Sequence, residues 1–174
     1  MISKTLHLVV RFSDSLFGVG DVVARHNDVV GKHGAVWFGK LGSPFSFSRI
    51  ELLNKQIAES VPTFLYLVQG NWKKPSVCRA ELFAVTRELP TRERKLVPAY
   101  YAKLGLLEYM RAWMKIGEIV SAETSVLNDF RAMTSALPFQ DTLVRSSSGY
   151  FLVYDAKMAK RAASASRSHA VEVE

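Results

Sequence analysis

Three short runs of apolar residues, rich in β-branched and aromatic side chains, constrain the fold of this chain more than any other feature. They cover Leu6–Phe12, Thr63–Gln69 and Gly149–Asp155. Runs of this length, bounded by turn or polar residues, are typical of buried β-strands. The three runs therefore predict strands of a sheet, and the rest of the chain must fit around that sheet.

Three further segments extend this pattern. Ala35–Gly39 (AVWFG) is short and aromatic, and Val77–Thr86 shows an imperfect alternation of side chains, so both predict strands. The Gly-Asn-Trp-Lys-Lys-Pro connection before Val77 predicts a loop that pairs this strand with Thr63–Gln69. Tyr109–Val120 fits a helix or a strand, and its alternation of Met, Ala and Ile against Arg, Trp and Lys favours a strand.

Helix signals lie between these strands. Asp21 is placed to cap a helix that carries the valines at positions 22, 23, 29 and 30. Ser48–Glu51 has the spacing of a capping box for a second helix, which should end near Ser60 because of the proline that follows. Ser125 is placed to cap a short helix over Val126–Thr134.

The order of these elements predicts an α+β domain over residues 1–155. The strands follow one another without regular helical crossovers, so we expect a curved mixed or antiparallel sheet, or a small barrel, with flanking helices. Residues 156–174 are mostly Ala, Ser, Lys and Arg. They fit a marginal helix or a frayed segment, and we predict a flexible basic tail.

Composition narrows the class of protein. Hydrophobic residues make up 48% of the 174 residues and charged residues 22%, as in a folded globular domain. The net charge of +7 favours an anionic partner, nucleic acid first. The residues after Asp155 carry four cations and two acids, so most of this charge belongs to the domain. The charge-free run between Glu59 and Lys73 has 13 residues, too few to cross a bilayer, so we expect no membrane association.

Catalytic signatures are missing from the sequence. The lone Cys78 allows no internal disulfide and no four-cysteine zinc site, which predicts a reducing, cytoplasmic setting. His26 and His33 lie seven residues apart without a third ligand in a metal-binding pattern, and His7 lies in an apolar strand. No nucleophile elbow, P-loop or dinucleotide fingerprint occurs. The sequence therefore predicts no catalytic residue, no metal and no cofactor, and it favours a protein that is not an enzyme.

Aromatic residues beside small and basic ones offer a different chemistry. Trp37 and Gly39 end a predicted strand, and the glycine lets another group approach the backbone. Trp72 lies in a polar turn beside Asn71 and the two lysines that follow, where no periodicity requires burial. Flat rings that stack a base, amides that read its edge and cations for phosphate are what nucleobase recognition requires. Both core packing and base stacking remain open for these rings.

Four segments carry a resemblance to a known group: AVWFGKLGSP (Ala35–Pro44), CRAELFAV (Cys78–Val85), MRAWMKIGEI (Met110–Ile119) and SSSGYFLV (Ser146–Val153). In their layout they resemble the PUA-like superfamily, and especially its EVE and YTH-type branch. The resemblance spans most of residues 30–155. It implies a PUA-like β-barrel with flanking helices that binds nucleic acid, DNA or RNA, and an aromatic pocket that accepts a modified base.

The resemblance also implies a site. Trp37 and Trp72 would stack on the base, and Asn71 or Ser147 would read its edge. The phosphate contacts would come from three lysines, Lys40, Lys73 and Lys74.

A protein-interaction module is the alternative. In an adaptor or inhibitor, the aromatic residues would form a binding hot spot, and the basic loop at Arg87–Lys95 would steer an acidic protein partner.

Overall fold

The computed structural model describes residues 4–14, 18–135 and 137–171. The strands of the described residues are β1 (Leu6–Arg11), β2 (Val36–Lys40), β3 (Phe64–Gln69), β4 (Ser76–Thr86), β5 (Ala112–Ile116), β6 (Val120–Ala122), β7 (Phe130–Ala132) and β8 (Tyr150–Asp155). The α-helices are α1 (Val22–His33), α2 (Phe47–Ala58), α3 (Tyr100–Lys103), α4 (Val126–Asp129), α5 (Phe139–Arg145) and α6 (Ala156–Val171). Short 3-10 segments cover Thr91–Leu96 and Leu107–Tyr109.

The eight strands form one mixed sheet in the order β2-β5-β4-β3-β1-β8-β7, with β6 paired to β4 beside this path. Strands β1 and β3 pair in parallel, with Leu8 opposite Leu65, and the other pairs are antiparallel. Within the described ranges, the end strands β2 and β7 are not paired with each other. The structure therefore confirms an α+β fold with a mixed sheet, and this sheet is open instead of closing into a barrel.

Strand β4 bends the sheet. Its first half pairs with β3, whereas Leu82–Thr86 pairs with β5, and the register shifts between Leu82 and Ala84. A shift of this kind places an extra residue in one strand and increases the local twist.

Two cores lie on the two faces of the central strands. Leu8 and Val10 of β1 face one core, which α1 and α2 cover, whereas Val9 between them faces the other, which α4 and α5 cover. Alternate residues of a strand point to opposite faces, so a strand covered on both sides is apolar throughout. This double burial explains why the three apolar runs of the sequence were reliable signals, and the predicted strands over residues 63–69 and 149–155 are confirmed as β3 and β8.

The ambiguous Tyr109–Val120 segment contains β5 and ends at the first residue of β6, so the strand interpretation is confirmed for Ala112–Ile116. A third cluster of buried residues packs between β2, β5 and the chain from Leu96 to Met110. This third cluster encloses two tryptophans, one from β2 and one from β5, and Tyr101 of α3. It fixes α3 against the end of β2.

Two predicted helix starts differ from the observed ones. Asp21 adopts a left-handed conformation, with φ 48°, and its side chain makes no cap hydrogen bond. The carboxylate of Asp14 instead accepts the Val22 amide at 2.7 Å. For α2, Ser46 and not Ser48 is the cap, since its side chain accepts the Arg49 amide.

The predicted helix over Val126–Thr134 is wrong beyond its first turn. Helix α4 ends at Asp129, and Phe130–Ala132 forms β7 beside β8. Pairing with a neighbouring strand satisfies the backbone there and buries Phe130 in the second core, which outweighs a weak local helical preference. Ser125 makes no side-chain cap hydrogen bond.

Helix α6 continues directly from β8. The Asp155 carboxylate accepts the amides of Lys157 and Met158, and Lys157 pairs with Asp129 at 2.7 Å. The helical alternative for this segment is therefore what the structure contains over Ala156–Val171, while its flexibility in solution stays a prediction. Residues 172–174 lie outside the described part of the chain. Among the described residues, no helix has the length and apolarity to span a membrane.

Candidate functional site

A cavity of about 150 Å³ opens where the ends of β1 and β2 face α3. We call it the first cavity. Its walls are mostly apolar and aromatic, with Val10, Phe12, Val22, Phe38, Tyr100 and Met110 among the lining residues. These residues come from distant parts of the sequence and meet because β1 and β2 end on the same side of the fold.

Stacked rings form one wall of the first cavity. The rings of Tyr100 and Tyr101 lie 4.4 Å apart at an angle of 22°, and Tyr100 is half-buried whereas Tyr101 is fully enclosed. Phe38 contributes another ring, which meets Phe12 edge-on at 6.3 Å. Aromatic pairs in these geometries are favourable and rigid, so the wall is preorganised.

A buried polar chain supports this wall from behind. The carbonyl of Val22 lies 2.7 Å from Nδ1 of His26, so Nδ1 donates, and Nε2 is left to accept from the Tyr101 hydroxyl at 3.3 Å. The same hydroxyl accepts the Gly39 amide at 3.0 Å. Burial lowers the pKa of His26 to about 4, against a smaller opposing effect of the Val22 carbonyl. His26 is therefore a neutral structural group that fixes Tyr101.

Lys40, a predicted phosphate contact, lies in the cavity lining and is only 7% exposed. Its ammonium group donates to the carbonyls of Leu41 and Ser43, at 2.8 and 3.2 Å. Burial lowers the pKa of Lys40. The structure thus places this cation inside the site instead of on the outer surface.

Gly149 lies directly opposite Lys40. A Cβ at this glycine would lie 3.4 Å from Nζ of Lys40, which is ordinary van der Waals contact. Ser147, predicted to read a base edge, is exposed two residues before Gly149. Lys40 and Gly149 line the first cavity, whereas Ser147 is not among its lining residues.

Trp37, predicted to stack on a base, is 2% exposed in the third cluster. Its indole nitrogen donates to Glu93 at 2.7 Å, and Lys115 pairs with the same carboxylate at 2.9 Å. The sequence prediction that Gly39 allows a close approach is confirmed, because a Cβ there would lie 2.8 Å from Met110. The group that approaches Gly39 is the Met110 side chain, which belongs to the third cluster. Of the two alternatives for Trp37, core packing therefore describes it better than base stacking.

Trp72 lies on the other face of the sheet from the first cavity. Its ring is half-buried beside the second core, and the guanidinium of Arg11 lies 4.4 Å from its centre. Gln140 of α5 donates to the Trp72 carbonyl at 2.7 Å. Trp37 and Trp72 are therefore not brought together, because they belong to different clusters.

The remaining predicted residues lie in the loop between β3 and β4. Asn71 is exposed, and its side-chain oxygen accepts the Lys73 amide at 3.0 Å, which shapes the turn. Lys73 and Lys74 are both exposed. The basic loop at Arg87–Lys95 lies at the opposite end of β4, and 11 residues of strand separate the two groups by roughly 30 Å.

Sequence reasoning missed Arg11. Its backbone lines the first cavity, while its side chain crosses to the second core and donates to the carbonyls of Leu143 and Ser146 at the end of α5. Burial lowers the pKa of this guanidinium. One feature of the sequence could have indicated Arg11: it directly follows a run of apolar strand residues. A charge next to a buried strand needs hydrogen-bonding partners nearby.

The groups with catalytic potential have structural surroundings. His7 accepts the Phe64 amide at 3.2 Å and packs among aromatic rings, and burial lowers its pKa to about 4. Burial, aided by the nearby Asp14, raises the pKa of the Cys78 thiol, opposite to the shift that activates a nucleophilic cysteine. In the described ranges, no three acidic, His or Cys side chains gather as a metal site would require.

Comparison with family models agrees with this architecture. The Pua-like family model matches residues 8–160, which is most of the chain and covers β1 from Leu8 onward and β2 to β8 in full. The chain belongs to the Pua-like family. Neither the curated proteins nor the solved structures contain a match.

Proposed function

We propose that this protein is a nucleic-acid-binding module that takes a single base into the first cavity. The observation that carries the proposal is the lining itself: an aromatic wall, an apolar interior and one buried cation around about 150 Å³. A cavity of that order accommodates a six-membered ring. A net charge of +7 supplies the attraction for a polyanion.

Each part of the lining has a place in this proposal. Tyr100 is half-buried and offers a ring against which a base can stack. Lys40 and the exposed Ser147 would meet the polar edge of the base. The apolar residues Val10, Val22 and Met110 favour a base that carries an apolar substituent, so a modified base fits better than a plain one.

The loop between β3 and β4 supplies the proposed outer contacts. Lys73 and Lys74 are exposed and placed for phosphates, with Asn71 beside them. Trp72 stays part of the proposal as a stacking surface for a flanking base, since its ring is half-buried and not enclosed. Trp37 and Lys40 take interior roles, Trp37 in the wall behind the site and Lys40 within it.

Equilibrium binding of a panel of single-stranded oligonucleotides, modified and plain, tests the proposal. Tyr100→Ala should weaken binding of the preferred oligonucleotide by about tenfold or more, because base stacking is worth about 1–3 kcal/mol. The matched control is Tyr109→Ala, a tyrosine that is 63% exposed and outside the cavity lining. Equal affinity of wild type and Tyr100→Ala for every oligonucleotide would contradict the proposal.

One observation favours the protein-interaction alternative. Phe47 is 65% exposed at the start of α2, and the guanidinium of Arg87 lies 3.6 Å from its ring centre. Exposed aromatic and arginine side chains are typical of binding hot spots. A stoichiometric protein partner that survives nuclease treatment and is lost in Phe47→Ala would support this second function, while its retention in that variant would argue against it.

A further inference from the structure

A second cavity, of about 240 Å³, lies beside the first. The two cavities share one stretch of chain, because Gly149 lines the first, and its neighbours Ser148 and Tyr150 line the second. The chain at 148–150 therefore borders both cavities.

The lining of the second cavity suits an oxyanion. It contains the guanidinium-bearing Arg49 and four serine or threonine side chains, and no carboxylate is among its lining residues. The serine and threonine side chains are Thr134, Thr142, Ser146 and Ser148. Ser146 Oγ accepts the Ser148 amide at 3.1 Å, so its own proton is left to donate.

Arg49 is a half-buried cation without a charged partner. Among the described residues it makes no ion pair, and its guanidinium carbon lies 5.4 Å from the centre of the Tyr150 ring. It belongs to the first turn of α2, a 12-residue helix whose N-terminus adds positive potential. An arginine in this position has its planar set of donors available for a phosphate.

The Tyr150 ring links the two cavities. Nζ of Lys40, in the first cavity, and the guanidinium carbon of Arg49, in the second, each lie 5.4 Å from its centre. Phe45 holds the ring in place from a third side, with ring centres 4.3 Å apart. Two cations, one from the lining of each cavity, thus flank one aromatic ring.

We propose that the second cavity binds a phosphate group, namely the phosphodiester of the nucleotide whose base enters the first cavity. Arg49 would contact the phosphate oxygens, and Ser146 would donate from its hydroxyl. This assignment rests on the proposed function for the identity of the strand, whereas the affinity of the cavity for phosphate is a separate property that can be measured alone.

Titration of the full ¹⁵N-labelled chain with inorganic phosphate, at constant ionic strength, tests the cavity directly. The amide signals of Ser148, Gly149 and Tyr150 should shift and saturate in the wild type and in Arg92→Gln, which removes an exposed cation elsewhere. They should not shift in Arg49→Gln. Absence of shifts in the wild type, or their persistence in Arg49→Gln, would overturn the phosphate site whatever the oligonucleotide result.

Oligonucleotide binding then distinguishes a backbone phosphate from free phosphate. Arg49→Gln should weaken binding about tenfold and make the negative slope of log affinity against log salt shallower by about 0.7, whereas Arg92→Gln should leave the slope unchanged. Arg49→Lys keeps the positive charge and should keep the salt slope. This control shows whether the change in Arg49→Gln comes from the lost charge or from a misfolded protein. If the protein binds phosphate but Arg49→Gln does not change the salt slope of oligonucleotide binding, the second cavity does not hold a phosphate of the nucleic-acid backbone. The effect of Tyr100→Ala on oligonucleotide affinity tests the base cavity independently of that result.

Discussion

The guanidinium carbon of Arg11 lies 4.4 Å from the centre of the Trp72 ring, on the face of the sheet opposite the first cavity. The contact joins the end of β1 to the loop between β3 and β4. Because the same guanidinium also donates to backbone carbonyls at the end of α5, Trp72 shields a charge that organises three elements.

This relationship predicts a cost for removing the ring. Trp72→Ala should lower the free energy of unfolding by about 1–2 kcal/mol, because a partly desolvated cation–π contact and its buried area are lost. Trp72→Phe keeps a ring and should lose less. Urea denaturation of the three proteins measures the effect, and an unfolding midpoint that does not move in Trp72→Ala would show that the contact is not stabilising.

The hydroxyl of Tyr101 is a second point of stability. Tyr101→Phe leaves the Gly39 amide and Nε2 of His26 without their buried partner. We expect a loss of about 1–3 kcal/mol in the free energy of unfolding, the usual cost of an unsatisfied buried polar group. Tyr109→Phe, at an exposed position, is the control and should change little. Equal stability of both variants would contradict the role given to the buried chain.

Replacement by alanine should change the free energy of unfolding in opposite directions at Gly39 and Gly31. A Cβ at Gly39 would lie 2.8 Å from Cγ of Met110 and 3.0 Å from the Trp113 ring, so Gly39→Ala should destabilise by about 1–3 kcal/mol. Gly31 lies within α1 with nothing within 4 Å, and Gly31→Ala should stabilise by up to about 1 kcal/mol. The thermal unfolding temperatures of the two variants, each compared with wild type, give the sign of each change. A shift in the same direction for both variants would refute the prediction.

Acid should destabilise the protein through His26. Its pKa is about 4 in the folded chain and near 6.5 when exposed, so the unfolded chain binds more protons between these values. Stability should therefore be fully present above about pH 6.5 and fall as pH decreases toward 4. An NMR titration of the His26 ring carbons should show a midpoint near pH 4. A midpoint near 6.5 would mean that the imidazole is not buried as described.

The sequence was informative where a strand is buried on both faces. Such strands are apolar throughout, so β1, β3 and β8 appeared in the sequence with nearly correct bounds. It failed at β7 and α5, which are short and owe their conformation to tertiary contacts with β8 and the second core. Short elements carry weak local preferences, which pairing and burial override.

The sequence alone predicts only part of the candidate site. Of the residues selected, Lys40 lines the first cavity, where it is buried and its ammonium group donates to backbone carbonyls, whereas Ser147 is exposed and is not among the lining residues. The cavity itself depends on the meeting of segments around residues 10, 38, 100 and 149, which no local pattern encodes. The sequence does not show that Trp37 and Trp72 lie apart. The fold places Trp37 in the third cluster and Trp72 beside the second core.

The affinity of the wild-type protein for a fluorescent single-stranded oligonucleotide, measured across a range of salt concentrations, tests the central claim most directly. Lysine contacts to phosphate release counterions, so log affinity should fall linearly with log salt, with a slope of about −0.7 for each phosphate contacted. Contacts from Lys73, Lys74 and Arg49 together predict a slope of about −2. Absence of binding at low salt, or an affinity that does not change with salt, would contradict a nucleic-acid-binding function.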